Sequence, residues 1–437
     1  MKSAIHDQAA ELILDAIYRQ PGDYLLKASF FFGMRPGAPP FERRMGIEIY
    51  IDPVKLVRAA LYVRKNGPPY LKYLPISAIS GMLRSFVIEH YGLLADETFL
   101  QRFAGSYSAA ISGSTKSAFA DALAESSVFQ PRNEVTLFPI IPVVAKTEFS
   151  SEPFFLVAAS TPSLQPLLPG VSNLVGDAFP PFSDLPGVRD TPSVWLGVRS
   201  PDFLAANKIK AAILGALALT PVAYQRHLFS GRKMFGGRCT ITDGGMVTFS
   251  RGDPHTPALA SDIIIQDQDV QWLDMLASKL VSNAADVTRQ IKALEYFYRA
   301  WPLDPAERFP ILCMTLDAIF GEDGIATRSI IDGVRATLGS HVPEARLNLL
   351  MDLRNSVLHG GAPDVYDSRK YSKYYDRYGE DPINDMQLVV GRCLRSRVFN
   401  DVLKEHPDPN AEQIAQLQAA GRLPKNRVRP SLFDPQS

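Results

Sequence analysis

Residues 4–19 carry Asp7, Glu11 and Asp15 inside an amphipathic pattern and predict a short helix closed by Pro21-Gly22. Strand-like runs follow at Tyr24 to Phe32, Arg43 to Ile51 and Tyr70 to Pro75, punctuated by proline and glycine. A helical pattern covers about 77–94, and a Ser/Ala/Gly-rich stretch spans 104–127. Strand patterns resume at Glu134 to Ala145 and Pro153 to Ala159. Between Thr161 and Pro192 the chain is dense in Pro, Gly and Asp, the composition of a long loop. A helix over Asp202 to Leu219, stopped by Thr220-Pro221, is followed by a basic glycine-bearing loop and a strand within Gly231 to Ile241. The acidic stretch Asp262 to Asp269 then leads into residues with helical periodicity almost to the end.

That last region has the clearest punctuation. Helices are expected at about 270–282 and 284–300, then from Asp304-Pro305, where Asp as N-cap, Pro at the first position and Glu307 at the third resemble a capping box. Pro310 removes a backbone donor and is expected to kink that helix or delay its start. Further helices are expected at about 327–338, ended by Gly339; 343–359, ended by Gly360-Gly361; and 382–404, begun by Asp381-Pro382. Short connections between long helices favour an antiparallel bundle. The expected fold class is an α+β N-terminal region followed by an all-α antiparallel helical bundle. The expected domains are an α+β domain over 1–195, a connecting helix and strand segment over 196–268, the bundle over 269–408 and a flexible basic tail over 409–437.

Composition narrows the function classes. The chain has 437 residues, 46 Lys+Arg and 46 Asp+Glu, so it is no histone-like polycation. Neutrality leaves nucleic-acid binding open, because the footprint that matters is a local basic face. Cys239, Cys313 and Cys393 are far apart with no CxxC pair, which argues against a disulfide framework or a thiolate zinc site and fits a reducing cytoplasm. The longest apolar or small run, Ala211 to Leu219, is far short of the roughly 20 residues of a membrane span. The protein is expected to be cytoplasmic, without membrane attachment.

Several chemical motifs fail on spacing. Gly113 to Ser117 resembles a phosphate loop but lacks the upstream glycine. Asp267 and Asp269 form an Asp-x-Asp pair, yet helix-start electrostatics explains them. The seven histidines show no metal-ligand spacing, and no Gly-x-Ser-x-Gly elbow occurs, so no metal or cofactor is expected.

One segment remains, Asp352 to Gly361. On a helix Asn355 and His359 share a face, while Arg354 lies about 140° from His359 but has a long stem that can curl toward it. His359 falls in the last turn, where the dipole favours imidazolium, and Gly360 suits the left-handed closing position. A titratable imidazole, a fixed cation and an amide make an acid/base and an anion clamp without metal. Arg followed by His at five or six positions also occurs at Arg84/His90 and Arg335/His341, so spacing alone is unspecific. The bland alternative is that Arg354 and His359 cap and salt-bridge a bundle helix.

Arg354 to Gly360 resembles the hallmark of the HEPN superfamily, in particular its ApeA-like branch: Arg, a polar residue, three variable residues and His late in a bundle helix. The helix from Arg308 to Phe320 resembles the family's apolar helix with an embedded acidic residue, here Asp317, where the family more often shows Glu. The resemblance covers roughly 270–405. It implies a bundle that dimerises to bring two Arg–His motifs into one cleft, and a metal-independent endoribonuclease that leaves 2′,3′-cyclic phosphate ends. Transferred residue by residue, His359 acts as general acid/base, Arg354 holds the scissile phosphate and Asn355 orients the site. Many HEPN domains are inactive scaffolds or nucleotide binders, which is the alternative. A stress or phage-defence setting follows from the family association alone, with the N-terminal domain as sensor or regulator. A third alternative is an enzyme whose site lies in residues 1–260, although no motif there supports it.

After the motif, Tyr366 to Tyr378 interleaves Arg369, Lys370, Lys373 and Arg377 with five tyrosines. Cations suit phosphates and exposed tyrosines stack on unpaired bases, so single-stranded RNA is the expected partner, with Arg369, Lys370, Lys373, Tyr374 and Arg377 binding it. The plain alternative is a loop whose tyrosines pack on the bundle. Arg392, Arg395 and Arg397 lie on the next helix, and Arg226 to Arg238 and Arg422 to Arg429 are acid-free basic stretches.

Overall fold

The computed structural model describes residues 3–32, 45–98, 100–132, 134–159, 164–168, 192–423 and 432–433. They fall into two compact units, Met1–Asn133 and Glu134–Ser437. The mixed α+β character expected from the sequence is present in both.

The first unit runs α1 (Ala4–Asp15), β1 (Ile17–Tyr18), β2 (Leu26–Phe32), β3 (Met45–Ile51), α2 (Pro53–Asn66), α3 (Ile76–Glu89), α4 (Tyr91–Thr98), α5 (Tyr107–Ala110) and α6 (Gly113–Glu125). Its antiparallel sheet has the order β1-β3-β2, with Leu26 opposite Ile51 and Phe32 opposite Met45. Asp52 caps α2 by accepting from the Val54 and Lys55 amides at 2.9 and 3.1 Å, with Pro53 at the first position. The strand expected over Tyr70 to Pro75 is instead a 3₁₀ turn, Pro69–Tyr73. Pro68-Pro69 presets a helical turn rather than a ladder partner, and Tyr70 is drawn inward to donate to the Val128 carbonyl at 2.9 Å. The phosphate-loop look-alike is the start of α6, where Ser112 caps and Lys116 pairs with Glu11 at 3.1 Å.

The second unit contains β4 (Glu134–Ile140), β5 (Val143–Ala145), β6 (Phe149–Ser150), β7 (Phe154–Ala158), β8 (Val194–Arg199), α7 (Phe203–Leu217), β9 (Arg238–Thr242), β10 (Val247–Ser250) and β11 (Ile263–Ile265). The helices α8 (Val270–Val281), α9 (Ala285–Ala300), α10 (Pro305–Phe320), α11 (Ala326–Leu338), α12 (Glu344–Leu358), α13 (Arg369–Tyr378), α14 (Pro382–Phe399) and α15 (Ala411–Ala419) follow. Six strands form an antiparallel sheet in the order β10-β9-β4-β8-β7-β6, and β11 pairs with β5 in parallel.

This topology corrects the expected boundaries. A break at 195–196 would cut β8, which pairs with β4 and β7. Residues 196–268 are no connector: they supply three strands of the two sheets beyond β8, and α7 packs on α9. That helix contact is so close that a Cβ on Gly215 would meet the Leu294 carbonyl oxygen at 2.1 Å. Most of the loop expected over Thr161 to Pro192 lies outside the described residues, as do 424–431 of the expected tail. Part of that tail, 411–419, is helical.

Local punctuation holds in the helical half. Asp304 caps α10 from the Ala306 and Glu307 amides at 2.8 and 3.2 Å, and Asp381 caps α14 from Ile383 at 2.8 Å. Pro310 lies inside α10 without delaying its start. Helix α14 stops at Phe399 rather than 404, because Asn400 and Asp401 take positive φ. Helix α10 is central, packing on α9, α11, α12 and α14. Its inward face buries Phe309, Leu312, Cys313 and Leu316.

Candidate active site

Helix α12 is anchored by Leu347, Leu350, Met351 and Leu353, all buried, which fixes the direction of the residue that follows. Arg354 turns toward α10, where Asp317 accepts two bonds from its Nη2 at 2.8 and 2.7 Å. The Arg354 side chain is 11% exposed and that of Asp317 29%, so the pair is mostly shielded from water. Its Nη1 donates to Asn355 Oδ1 at 3.0 Å, and its Nε is buried without an acceptor. Cys313, one turn before Asp317, is fully buried; burial pushes its thiol up, Arg354 opposes the rise and Asp317 adds to it.

His359 closes α12. Its backbone N–H bonds to the Asn355 carbonyl at 3.1 Å, and Gly360 follows with φ +76°, the left-handed position expected for it. The imidazole is exposed, and among the described residues no side-chain hydrogen bond or ion pair engages it. The structure therefore joins Asp317, Arg354 and Asn355 in one hydrogen-bonded chain and leaves His359 at the adjacent surface, bonded to Asn355 through the backbone alone. An exposed imidazole is open to contact with a ligand. The guanidinium is held through Nη1 and Nη2, while its buried Nε has no acceptor.

Residues 366–378 include a helix, α13, rather than only a loop. Ser368 caps it by accepting from the Lys370 amide at 3.2 Å. The same hydroxyl donates to Ser356 Oγ at 3.0 Å, and Lys370 Nζ lies 3.6 Å from Asp352, so α13 is tied to α12 beside the motif. Arg369, Ser372, Lys373, Asp376 and Arg377 line an open depression of ≈ 490 Å³. They recur three and four residues apart along one face. Arg369 and Lys373 make no ion pair among the described residues.

Tyr374 departs from its expected role. It is completely buried, donates to the Asp385 carboxylate and accepts from Arg346 Nε at 2.8 Å, so it cannot stack on a base. Arg346 also pairs with Asp385 and lies over the Tyr378 ring at 4.7 Å. The side of α13 that holds Tyr374 belongs to the core because a buried Arg–Asp pair needs its remaining hydrogen bonds satisfied. Tyr375 and Tyr366, about half exposed, are the tyrosines free to stack. Ser356 and Ser368 had no distinguishing signal in the sequence, since serine is unremarkable at such places. Asp385 sat one turn into a recognisable helix start.

Several residues of the other basic and acidic stretches are engaged within the protein. Arg226 is 2% exposed and gives its Nε to the Ala218 carbonyl at 2.6 Å. Arg232 pairs with Asp262 at 2.7 Å, and Arg395 with Glu405 at 2.8 Å. Asp269 is buried, accepting from Trp272 Nε1 at 2.8 Å and contacting His406 Nε2 at 2.8 Å. Among the described residues no group of three or more His, Cys, Asp or Glu is placed to hold a metal ion, and no helix is long and apolar enough to cross a membrane. Comparison with family models, curated proteins and solved structures finds no match to this chain.

Proposed function

We propose that this chain is a metal-independent endoribonuclease of HEPN type, acting on single-stranded RNA as a dimer formed through its C-terminal helices. The observation that carries the reading is the bidentate Asp317–Arg354 pair, formed across 37 residues beside an exposed His359. It supplies the embedded acid and the fixed cation of the resembled family in contact with each other. The basic face of α13, tied to the same helix, offers cations for the flanking phosphates.

In this reading His359 takes the proton of a ribose 2′-hydroxyl while the 2′-oxygen attacks the adjacent phosphorus. The bond from phosphorus to the 5′-oxygen breaks, and that oxygen takes a proton from the second imidazole of the dimeric cleft. Arg354 gives a phosphate oxygen a guanidinium N–H not taken by Asp317 as charge builds there. Asp317 is a positioning residue that holds the guanidinium by its other end.

A second reading, a catalytically inactive HEPN scaffold or RNA- or nucleotide-binding protein, is favoured by the low exposure of Arg354 and its engagement by Asp317. Incubation of the purified protein with unstructured RNA in EDTA separates the two. Cleavage that yields cyclic phosphate ends and is lost in His359→Ala and Arg354→Ala is expected. Cleavage persisting in both variants rejects the site, and no cleavage of any RNA transfers the assignment to the scaffold.

A further inference from the structure

Two buried guanidiniums with little compensating charge lie away from Arg354. Arg308 on α10 is 5% exposed and forms no ion pair among the described residues. Its Nη2 donates to the Leu303 carbonyl, and its Nε is buried with no partner. Asp304, the charge that acts on it, is exposed and already occupied in capping α10. Arg226, 2% exposed, reaches Glu405 only at 3.9 Å, while Arg395 holds that carboxylate at 2.8 Å. Both guanidiniums are pushed down to about 10 by burial and so stay charged at neutral pH. His227 is the third group, and its Nδ1 is also buried without a partner.

These three side chains line one small cavity of ≈ 10 Å³ together with Phe297, Leu312 and Gln387. That volume holds one water-sized particle. Buried unpaired cations are costly, and an anion between them relieves both the Coulomb repulsion and the unmet donors. We propose that this cavity is a binding site for one small monatomic anion of the halide class, chloride under ordinary salt conditions. The ion accepts from Arg308 Nε–H on one side and from His227 Nδ1–H on the other. Tetrahedral oxyanions exceed the space, and the apolar walls exclude a hydration shell.

A halide only accepts hydrogen bonds, so His227 faces it with Nδ1 carrying the proton, as the neutral Nδ1–H tautomer does. Burial, then Arg308, then Arg226 push its imidazole down to about 3 without the ion. The neutral ring is therefore a donor at neutral pH, and Arg308 and Arg226 supply the positive charge that holds the ion. Arg395 and Glu405 stand behind Arg226, and Asp304 beside Arg308, as the other charges in range. Chloride affinity therefore varies little between pH 6 and pH 8.

The test uses the full chain. Replacing gluconate by chloride at constant ionic strength raises the Tm by about 2 °C or more, by similar amounts near pH 6 and pH 8. His227→Gln keeps the chloride effect, through its amide donor. Because Arg308→Gln can fail to fold, crystals of the parent grown in bromide provide an independent measurement: an anomalous peak beside Arg308 Nε and His227 Nδ1 is expected. A Tm indifferent to chloride, or a cavity holding only non-anomalous water density in bromide, overturns the proposal.

Discussion

Replacing Asp317 with asparagine tests the central pair most directly. The change keeps the side-chain shape and one acceptor for Arg354 Nη2 but removes the charge that offsets a guanidinium only 11% exposed. At an effective dielectric near 20, unit charges about 4 Å apart interact by roughly 4 kcal/mol, and desolvation offsets part of this. Removing one partner of a fully buried pair costs about 3–5 kcal/mol. Asp317 is 29% exposed, so solvent screening lowers the expectation to about 2 kcal/mol. All three tryptophans, Trp195, Trp272 and Trp301, lie in the second unit, so their fluorescence during urea unfolding reports that unit alone. A double-mutant cycle with Arg354→Met isolates a coupling of about 1–2 kcal/mol. Coupling below about 0.3 kcal/mol refutes the reasoning, because it makes the pair a surface contact of no consequence. In RNA cleavage, Asp317→Asn lowers kcat/KM about tenfold, equivalent to about 1.4 kcal/mol of transition-state stabilisation, and Asp317→Glu restores most of it.

Tyr374→Phe removes a buried hydroxyl bonded to Asp385 and Arg346 and costs about 2 kcal/mol of stability, while RNA affinity measured by fluorescence anisotropy stays at the parent value. A changed affinity with unchanged stability would return Tyr374 to the binding face. Replacing Arg369, Lys373 and Arg377 with serine makes the slope of log affinity against log salt shallower by about 2, and an unaltered slope removes α13 from the RNA path. Gly360→Ala meets no atom within 4 Å, so its cost is conformational, about 1 kcal/mol in urea unfolding; a neutral outcome contradicts the left-handed closure of α12. Burial and then Lys210 push His255 down to about 3. The unfolded chain, with its histidine near 6.5, therefore binds more protons between these values. The resulting stability is complete above about pH 6.5 and falls as pH drops toward 3, by up to about 1.4 kcal/mol per unit. Unfolding of the parent and of His255→Gln at about pH 7 and pH 5 checks this, since the variant loses that part of the acid slope.

What the chain determined unaided is what depends on neighbours in sequence. Asp304-Pro305, Asp381-Pro382 and Gly360 mark helix ends because capping bonds and left-handed closure involve residues within one turn. The same locality places Arg354, Asn355 and His359 at the end of one helix. Tertiary structure alone decided the rest. Residues 194–199 and 238–250 read as fragments until they pair with β4 and its neighbours, since a strand's partner lies far away in sequence. Tyr374 and Tyr375 are adjacent and chemically alike, yet one is buried against Arg346 and Asp385 and the other half exposed. Arg308 and Arg354 both look like surface cations in sequence. Arg354 is held by Asp317 and Arg308 faces a small cavity, because burial depends on which helices meet, and that is settled by packing across the whole unit.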